Sequence, residues 1–209
     1  MSARERWVIA SSNAHKVAEL KTLLEQEGLG DLELTTQSEL GIQPPPEPAT
    51  TFVENALIKA RHASHISGLP ALADDSGLVV AALNGAPGVM SARFAGPDAS
   101  DRANIEKLLG ALADADTANR SACFYCVVVA LEHADDPAPI VAAGRWEGTI
   151  ALRPAGVGGF GYDPVFFDPE LKRTAAELPG DVKNAVSHRG RALRLLVAEL
   201  KAKRTPAPP

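Results

Sequence analysis

The chain has 209 residues, 45% of them hydrophobic, with 26 acidic against 21 basic side chains and a formal net charge of -5. That is enough apolar material to bury a sizeable core as one domain or two closely joined lobes, which excludes overall disorder. The negative balance excludes broad adhesion to nucleic acid or acidic membranes, and the lack of a signal peptide or of an apolar run near ~20 residues predicts a cytoplasmic protein without a membrane partner.

Trp7 to Ala10 reads as a buried strand, and from about Ala14 the spacing of Val17, Leu20, Leu23 and Leu24 predicts a helix that stops before Gly28. A second strand is expected over Leu32 to Thr36, followed by an extended, proline-rich connection from Gly41 to Ala49. Thr50 or Thr51 can cap the next helix, with Phe52, Val53, Ala56, Leu57, Ala60 and Ala63 as its buried face and Gly68 as its stop.

Between the apolar stretches Ala71 to Ala73 and Leu78 to Leu83, the Asp74-Asp75-Ser76-Gly77 run reads as a short turn. Two adjacent carboxylates beside a core repel each other and are desolvated, so they need a cation, hydrogen bonds or protonation. A hard divalent ion fits that need, and an ordinary polar turn is the alternative.

The irregular stretch Gly85 to Gly96 predicts a loop, and Ser100 or Asp101 can start a helix through Leu112. Ala122 to Leu131 and Ile140 to Ile150 predict two long strands in an antiparallel hairpin. Cys123 and Cys126 fall on opposite faces of the first of these, as reduced core thiols rather than a redox pair. A last helix is expected from about Asp181 to Lys203, making residues 1–204 one domain of two lobes, ahead of a disordered tail at 205–209. Strands and helices mix without strict alternation, which predicts an α/β fold: a mixed β-sheet flanked by helices, with a cleft between two lobes.

Three further segments carry candidate chemistry. In Ser11-Ser12-Asn13-Ala14-His15-Lys16 a strand feeds a helix N-terminus, where free amides, the helix dipole and Lys16 attract an anion. The alternative is an Asn13 cap beside a solvated lysine. In Gly158-Gly159-Phe160-Gly161-Tyr162-Asp163 the glycines let backbone approach a ligand, and Phe160 or Tyr162 offers a stacking face for a planar base. A wide turn with its aromatics in the core is the other reading. On the last helix Arg189 falls within the apolar stripe of Val182, Val186, Leu193, Leu196 and Leu200. Either that helix breaks near Gly190, or the guanidinium is held against a carboxylate or a ligand. Lys183, Asn184, Ser187 and His188 occupy the adjoining arc. His62 and His65 have the spacing of zinc ligands but no further partners, and read as surface or structural residues.

Taken in order, Ser11 to Lys16, Thr51-Phe-Val-Glu-Asn-Ala56, Ala73 to Leu78, Gly85-Ala-Pro-Gly88 with Ser91-Ala-Arg93, Gly158 to Pro164 and Ser187-His-Arg189 closely resemble the inosine/xanthosine triphosphate pyrophosphatase family. The resemblance spans nearly the whole chain. It implies an ITPase-like fold that hydrolyses ITP, dITP and XTP to the monophosphate and pyrophosphate, uses Mg2+, and works as a homodimer on a small-molecule nucleotide. By motif, Ser11, Ser12, Asn13, Ala14, His15 and Lys16 would cradle the triphosphate. Asp75 would activate water and share a metal with Glu54 and Asp74. Ser76, Phe160, Gly161, Tyr162, Asp163, Lys183, His188 and Arg189 would contact substrate. Glu47 stands alone among prolines in a loop where family members often carry acidic residues, and is the one candidate metal ligand there. Two other readings remain: a pyrophosphatase for other modified nucleotides, and a nucleotide sensor without chemistry.

Overall fold

The computed structural model describes residues 5–29, 31–114 and 119–204; the expected tail at 205–209 lies outside them. Seven strands form one mixed sheet in the order β2-β1-β3-β4-β5-β6-β7, namely β1 (Arg6–Ile9), β2 (Glu33–Thr36), β3 (Ala71–Val80), β4 (Ser121–Leu131), β5 (Ile140–Ile150), β6 (Phe166–Asp168) and β7 (Arg173–Thr174). β1 pairs in parallel with both β2 and β3, whereas β6 pairs antiparallel with β5 and β7. β4 and β5 are neighbours, as a hairpin requires.

Five α-helices accompany the strands: α1 (Ala14–Gln26), α2 (Phe52–Ser67), α3 (Asp101–Ala111), α4 (Gly180–Val186) and α5 (His188–Arg204). Their ends follow local chemistry. Asn13 caps α1, Ser100 caps α3, and Thr51 caps α2, which closes on Gly68 in the left-handed conformation at φ +68°.

Two expectations need correcting. The Asp-Asp-Ser-Gly run is no turn: it lies inside the continuous ten-residue strand β3, where adjacent side chains face opposite sides. The flanking apolar residues favour a strand, and cations from other elements compensate the carboxylates, so no solvent-facing turn is needed. The last helix is in fact two, because Ser187 adopts an extended backbone (φ -65°, ψ 155°) between α4 and α5. The break lies three residues before Gly190, near the position expected.

The described residues divide into two compact units: the chain through Asp75 with Cys126–Gly144 and the chain from Arg189 on, and Ser76–Tyr125 with Arg145–His188. Strands β3, β4 and β5 therefore each contribute to both. The first unit has a core of Trp7, Ile9, Leu20, Leu24, Leu72, Val128, Leu193 and Leu196. The second packs Leu78, Leu108, Phe124, Trp146, Tyr162 and Phe166. Both cysteines are buried and free, Cys126 in the first unit and Cys123 in the second.

Arg120 supports the second core. Its buried guanidinium donates to Leu112 O at 2.7 Å, Ile150 O at 2.8 Å and Ala151 O at 3.2 Å, joining the C-terminus of α3 to the end of β5. The carbonyl end of a helix stabilises a cation. Replacing Arg120 by Met strands these acceptors and is expected to cost about 3 kcal/mol, read as a lower urea midpoint at unchanged slope. An unchanged midpoint would count against this account.

Candidate active site

In the first unit, the chain leaves β1 through Ala10 and Ser11 and turns into α1. Asn13 Oδ1 accepts from the amides of His15 (3.0 Å) and Lys16 (3.1 Å), while Asn13 N donates to Ser11 Oγ (3.3 Å). Gln37 Nε2 donates to Ser12 Oγ at 2.7 Å. The Asn13 cap is therefore real, but the lysine is not simply solvated. Lys16 Nζ lies 3.3 Å from Asp74 Oδ2.

Asp74 is the most enclosed acid of the segment, with a side chain that is 0% exposed. Arg189 donates to the same Oδ2 from Nη2 at 3.2 Å and Nε at 3.4 Å, and its Nη1 bonds Glu19 of α1. Burial alone would raise the Asp74 carboxyl, but Lys16, Arg189 and Lys59 hold it well below the usual carboxylate range. Burial opposes charge on Arg189 too, and Asp74 and Glu19 outweigh it. Both readings for Arg189 are realised: the helix breaks at Ser187, three residues before Gly190, and the guanidinium is held against carboxylates.

Asp75, the next residue along β3, meets different partners. Lys59 Nζ donates to its Oδ1 at 2.9 Å and Asn55 Nδ2 to its Oδ2 at 3.4 Å. Asn55 and Lys59 sit four apart on α2 and so share a helix face. The buried stripe of α2 consequently comprises Asn55, Ala56, Lys59, Ala60, Ala63 and Ser64, with Phe52, Val53 and Leu57 only half-buried. Burial would lower the Lys59 pKa, but Asp75, Asp74 and Glu47 hold it above the ordinary lysine value. Glu47 Oε2 approaches Lys59 Nζ to 3.6 Å. The proline-rich loop carrying Glu47 is tied to α2 by Ala49 N to Asn55 Oδ1 (3.2 Å) and by His62 Nε2 to Gln43 O (2.8 Å).

Thus Glu47, Lys59 and Asp75 come together, as do Lys16, Asp74, Arg189 and Glu19. Glu54 lies elsewhere in this pattern: it is exposed, and its carboxylate takes the Thr51 hydroxyl. Among the described residues no three His, Cys, Asp or Glu side chains converge as a metal cage. Alternation along β3 sends Asp74 to Lys16 and Arg189 and Asp75 to Lys59 and Asn55. Lys59, Asn55 and Glu19 were not anticipated from the sequence. The only available signal was a polar i, i+4 pair beside the alanine stripe of α2.

In the second unit, the glycine-rich loop folds onto its own acid. Asp163 Oδ2 accepts from Phe160 N at 2.9 Å and Lys183 Nζ at 2.7 Å, and Lys183 Nζ lies 5.1 Å from the Phe160 ring centroid. Gly159 has φ +72°, and a Cβ there would stand 1.9 Å from Asp163 Oδ2, so only glycine fits. Tyr162 is buried and its hydroxyl donates to Ser91 O at 2.9 Å; Phe160 is half-buried. Burial, then Asp101, raise the Tyr162 pKa, which keeps the phenol neutral. His188 is buried and stacks on Phe124 at 4.8 Å between centroids, with a 12° interplanar angle. Ser76 is half-buried on β3.

Known proteins resemble this chain along nearly its whole length. A dITP/XTP pyrophosphatase of Yersinia pseudotuberculosis serotype I is 53% identical over 197 residues, covering 94% of this chain and 98% of that enzyme. One from Halorhodospira halophila is 55% identical over 195 residues, 93% of this chain and 96% of that enzyme. A HAM1 protein structure from Coxiella burnetii superposes with TM-score 0.87 at 50% identity, covering 95% of this chain and 99% of that one. The Staphylococcus aureus Ham1 protein does so with TM-score 0.84 at 39% identity, covering 96% and 100%. With the family pattern itself matching residues 7–199, the chain belongs to the Ham1 family.

Proposed function

We propose that the chain is a nucleoside-triphosphate pyrophosphatase that hydrolyses non-canonical purine nucleotides, ITP, dITP and XTP, to the monophosphate and pyrophosphate. The names and coverage of its relatives support the reaction class. The observation in the structure that carries the reading is Asp75, an almost buried carboxylate whose oxygens are oriented by Lys59 and Asn55. Such a group is fixed in direction and ready to accept a proton from water.

Roles follow from the chemistry of each residue. Asp75 takes the proton of the water that attacks the α-phosphorus, and Lys59 and Asn55 keep its carboxylate aimed. Ser11, Ser12, Asn13, Ala14, His15 and Lys16 bind the triphosphate, with Lys16 supplying charge. Asp75 and Glu47 are hard oxygen donors close to one another through Lys59, a set that fits magnesium, which commonly takes one or two carboxylates plus substrate phosphates rather than a full protein cage. When bound, magnesium supplies charge neutralisation on the phosphates. Glu54 and Asp74 are then supporting acids, Asp74 being already compensated by Lys16 and Arg189.

Phe160 stacks on the base, and Gly161, Tyr162, Asp163 and Lys183 set its position. Ser76 contributes a backbone or hydroxyl contact. His188 and Arg189 are assigned the recognition of the 6-oxo group; a 6-amino group in its place offers no acceptor, a mismatch that costs about 1–3 kcal/mol. The purpose is to keep deaminated purines out of DNA and RNA. The family resemblance supports a homodimer acting in the cytoplasm, and no helix among the described residues is long and apolar enough to cross a membrane.

The test is turnover of purified protein on ITP, XTP, ATP and GTP with magnesium. ITP and XTP are expected to release pyrophosphate, at least tenfold faster than ATP or GTP. Release of orthophosphate, or equal rates for ATP and ITP, would overturn the reading.

A further inference from the structure

The glycine-rich loop of the second unit is held at a point where its own acid does not reach. Asp163 secures Phe160 N and Lys183, but Gly161 N donates to Asp101 Oδ2 at 2.6 Å, across 60 positions of sequence. Gly161 sits at φ +61°, and nothing within 4 Å would crowd a Cβ there. The left-handed turn is thus open on the side a Cβ would occupy, and the bond to Asp101 ties it to α3.

Asp101 is the first residue of α3 and is not its cap, since Ser100 Oγ accepts from Ala103 N at 3.2 Å. The helix beneath it is anchored: Asn104 accepts from Ala95 N at 2.7 Å and donates to Ala92 O at 3.1 Å, and Lys107 donates to Phe94 O at 2.5 Å. The next loop residue is tied to the same segment, through the Tyr162 hydroxyl on Ser91 O, while Ser91 Oγ accepts from Leu78 N at 2.9 Å. Gly161 and Tyr162 are therefore both fastened from outside the loop, on the residues that follow Phe160.

We infer that Asp101 is a positioning residue for base recognition: by holding the Gly161 amide it sets the plane of the Phe160 ring before the purine arrives. This rests on the proposed function. The bond is charge-assisted yet solvent-exposed, so its removal is expected to weaken recognition several-fold without abolishing turnover. Asp101 touches neither Asp75 nor its partners and has no part in proton transfer.

The experiment compares wild type, Asp101→Ala and Asp101→Asn on ITP, together with hydrogen exchange of the Gly161 amide in the free protein. Asparagine keeps an accepting oxygen but removes the charge. For Asp101→Ala, KM is expected to rise about three- to tenfold, with kcat within about twofold and faster exchange at Gly161; Asp101→Asn should keep KM and exchange close to wild type. An unchanged KM in Asp101→Ala overturns the inference even where exchange accelerates. Equal impairment of both variants also overturns it, since loss of charge at the helix N-terminus would then be the cause. Wild-type protein that leaves ITP intact overturns the proposed function and this inference with it.

Discussion

Asp75→Asn is expected to lower kcat on ITP by about 10²- to 10⁴-fold, the usual contribution of a positioned general base. Asparagine fills the same volume and still accepts from Lys59 Nζ through its carbonyl oxygen, but its amide nitrogen meets the Asn55 Nδ2 donor, so the unfolding free energy should fall by about 1–3 kcal/mol, far less than the loss in kcat would need. KM should move less than kcat, because the lost proton acceptor matters at the transition state more than in binding. Steady-state kinetics with excess magnesium, alongside circular dichroism to certify the fold, reads both. Retention of more than a tenth of the wild-type kcat would remove Asp75 from the role of base and bring back the reading of a nucleotide sensor, or shift attention to Glu47, the other carboxylate at Lys59.

Arg189→Ala carries the largest expected loss of stability, about 3–5 kcal/mol, because it removes the buried guanidinium that both Asp74 and Glu19 contact. Urea unfolding at neutral pH measures it. The pH dependence gives a second signature. In the folded chain the Asp74 carboxyl is held well below its ordinary value, so between the unfolded value near ~3.9 and the lower folded one, only the unfolded chain binds the proton. The stabilisation is therefore complete above about pH 4 and fades as pH falls through the folded value. Arg189→Ala should flatten that acid dependence as well as lower the plateau. A midpoint within about 1 kcal/mol of wild type, with the acid limb unchanged, would show that the clamp is energetically idle. Because this variant perturbs the fold, any loss of ITP-over-ATP selectivity in it has to be compared with Arg189→Lys, which keeps the charge but loses the fork.

Much of the architecture was legible because it depends on local chemistry. Thr51 and Gly68 bound α2, Asn13 and Ser100 open their helices, and the alternating pattern of Ile140–Ile150 gives β5 its limits. Arg189 could be singled out because a guanidinium within an apolar stripe demands a partner. What misled was turn chemistry: Asp-Ser-Gly suggested a short turn, whereas the run lies in a strand, and the cations that the paired charge called for lie far away in sequence, Arg189 at 115 positions from Asp74. No window along the chain contains both ends of that contact. Lys59 shows the same limit, since a single lysine on an alanine-rich helix looks like a solvated residue until the strand beside it is known. Glu47, isolated among prolines, acquires its place through Asn55 and His62, which pin the loop to α2.

The two sulfurs have an experimental use. Cys126 is wholly enclosed and its thiol is pushed up to about 12 by burial and then by Asp74, while Cys123 is also raised, by burial and then by Glu147. Alkylating reagents attack the thiolate, so neither position should label at neutral pH until its surroundings come apart. With one such reporter on each side of the unit boundary, peptide-resolved labelling under mild denaturant would show which half of the molecule loosens first.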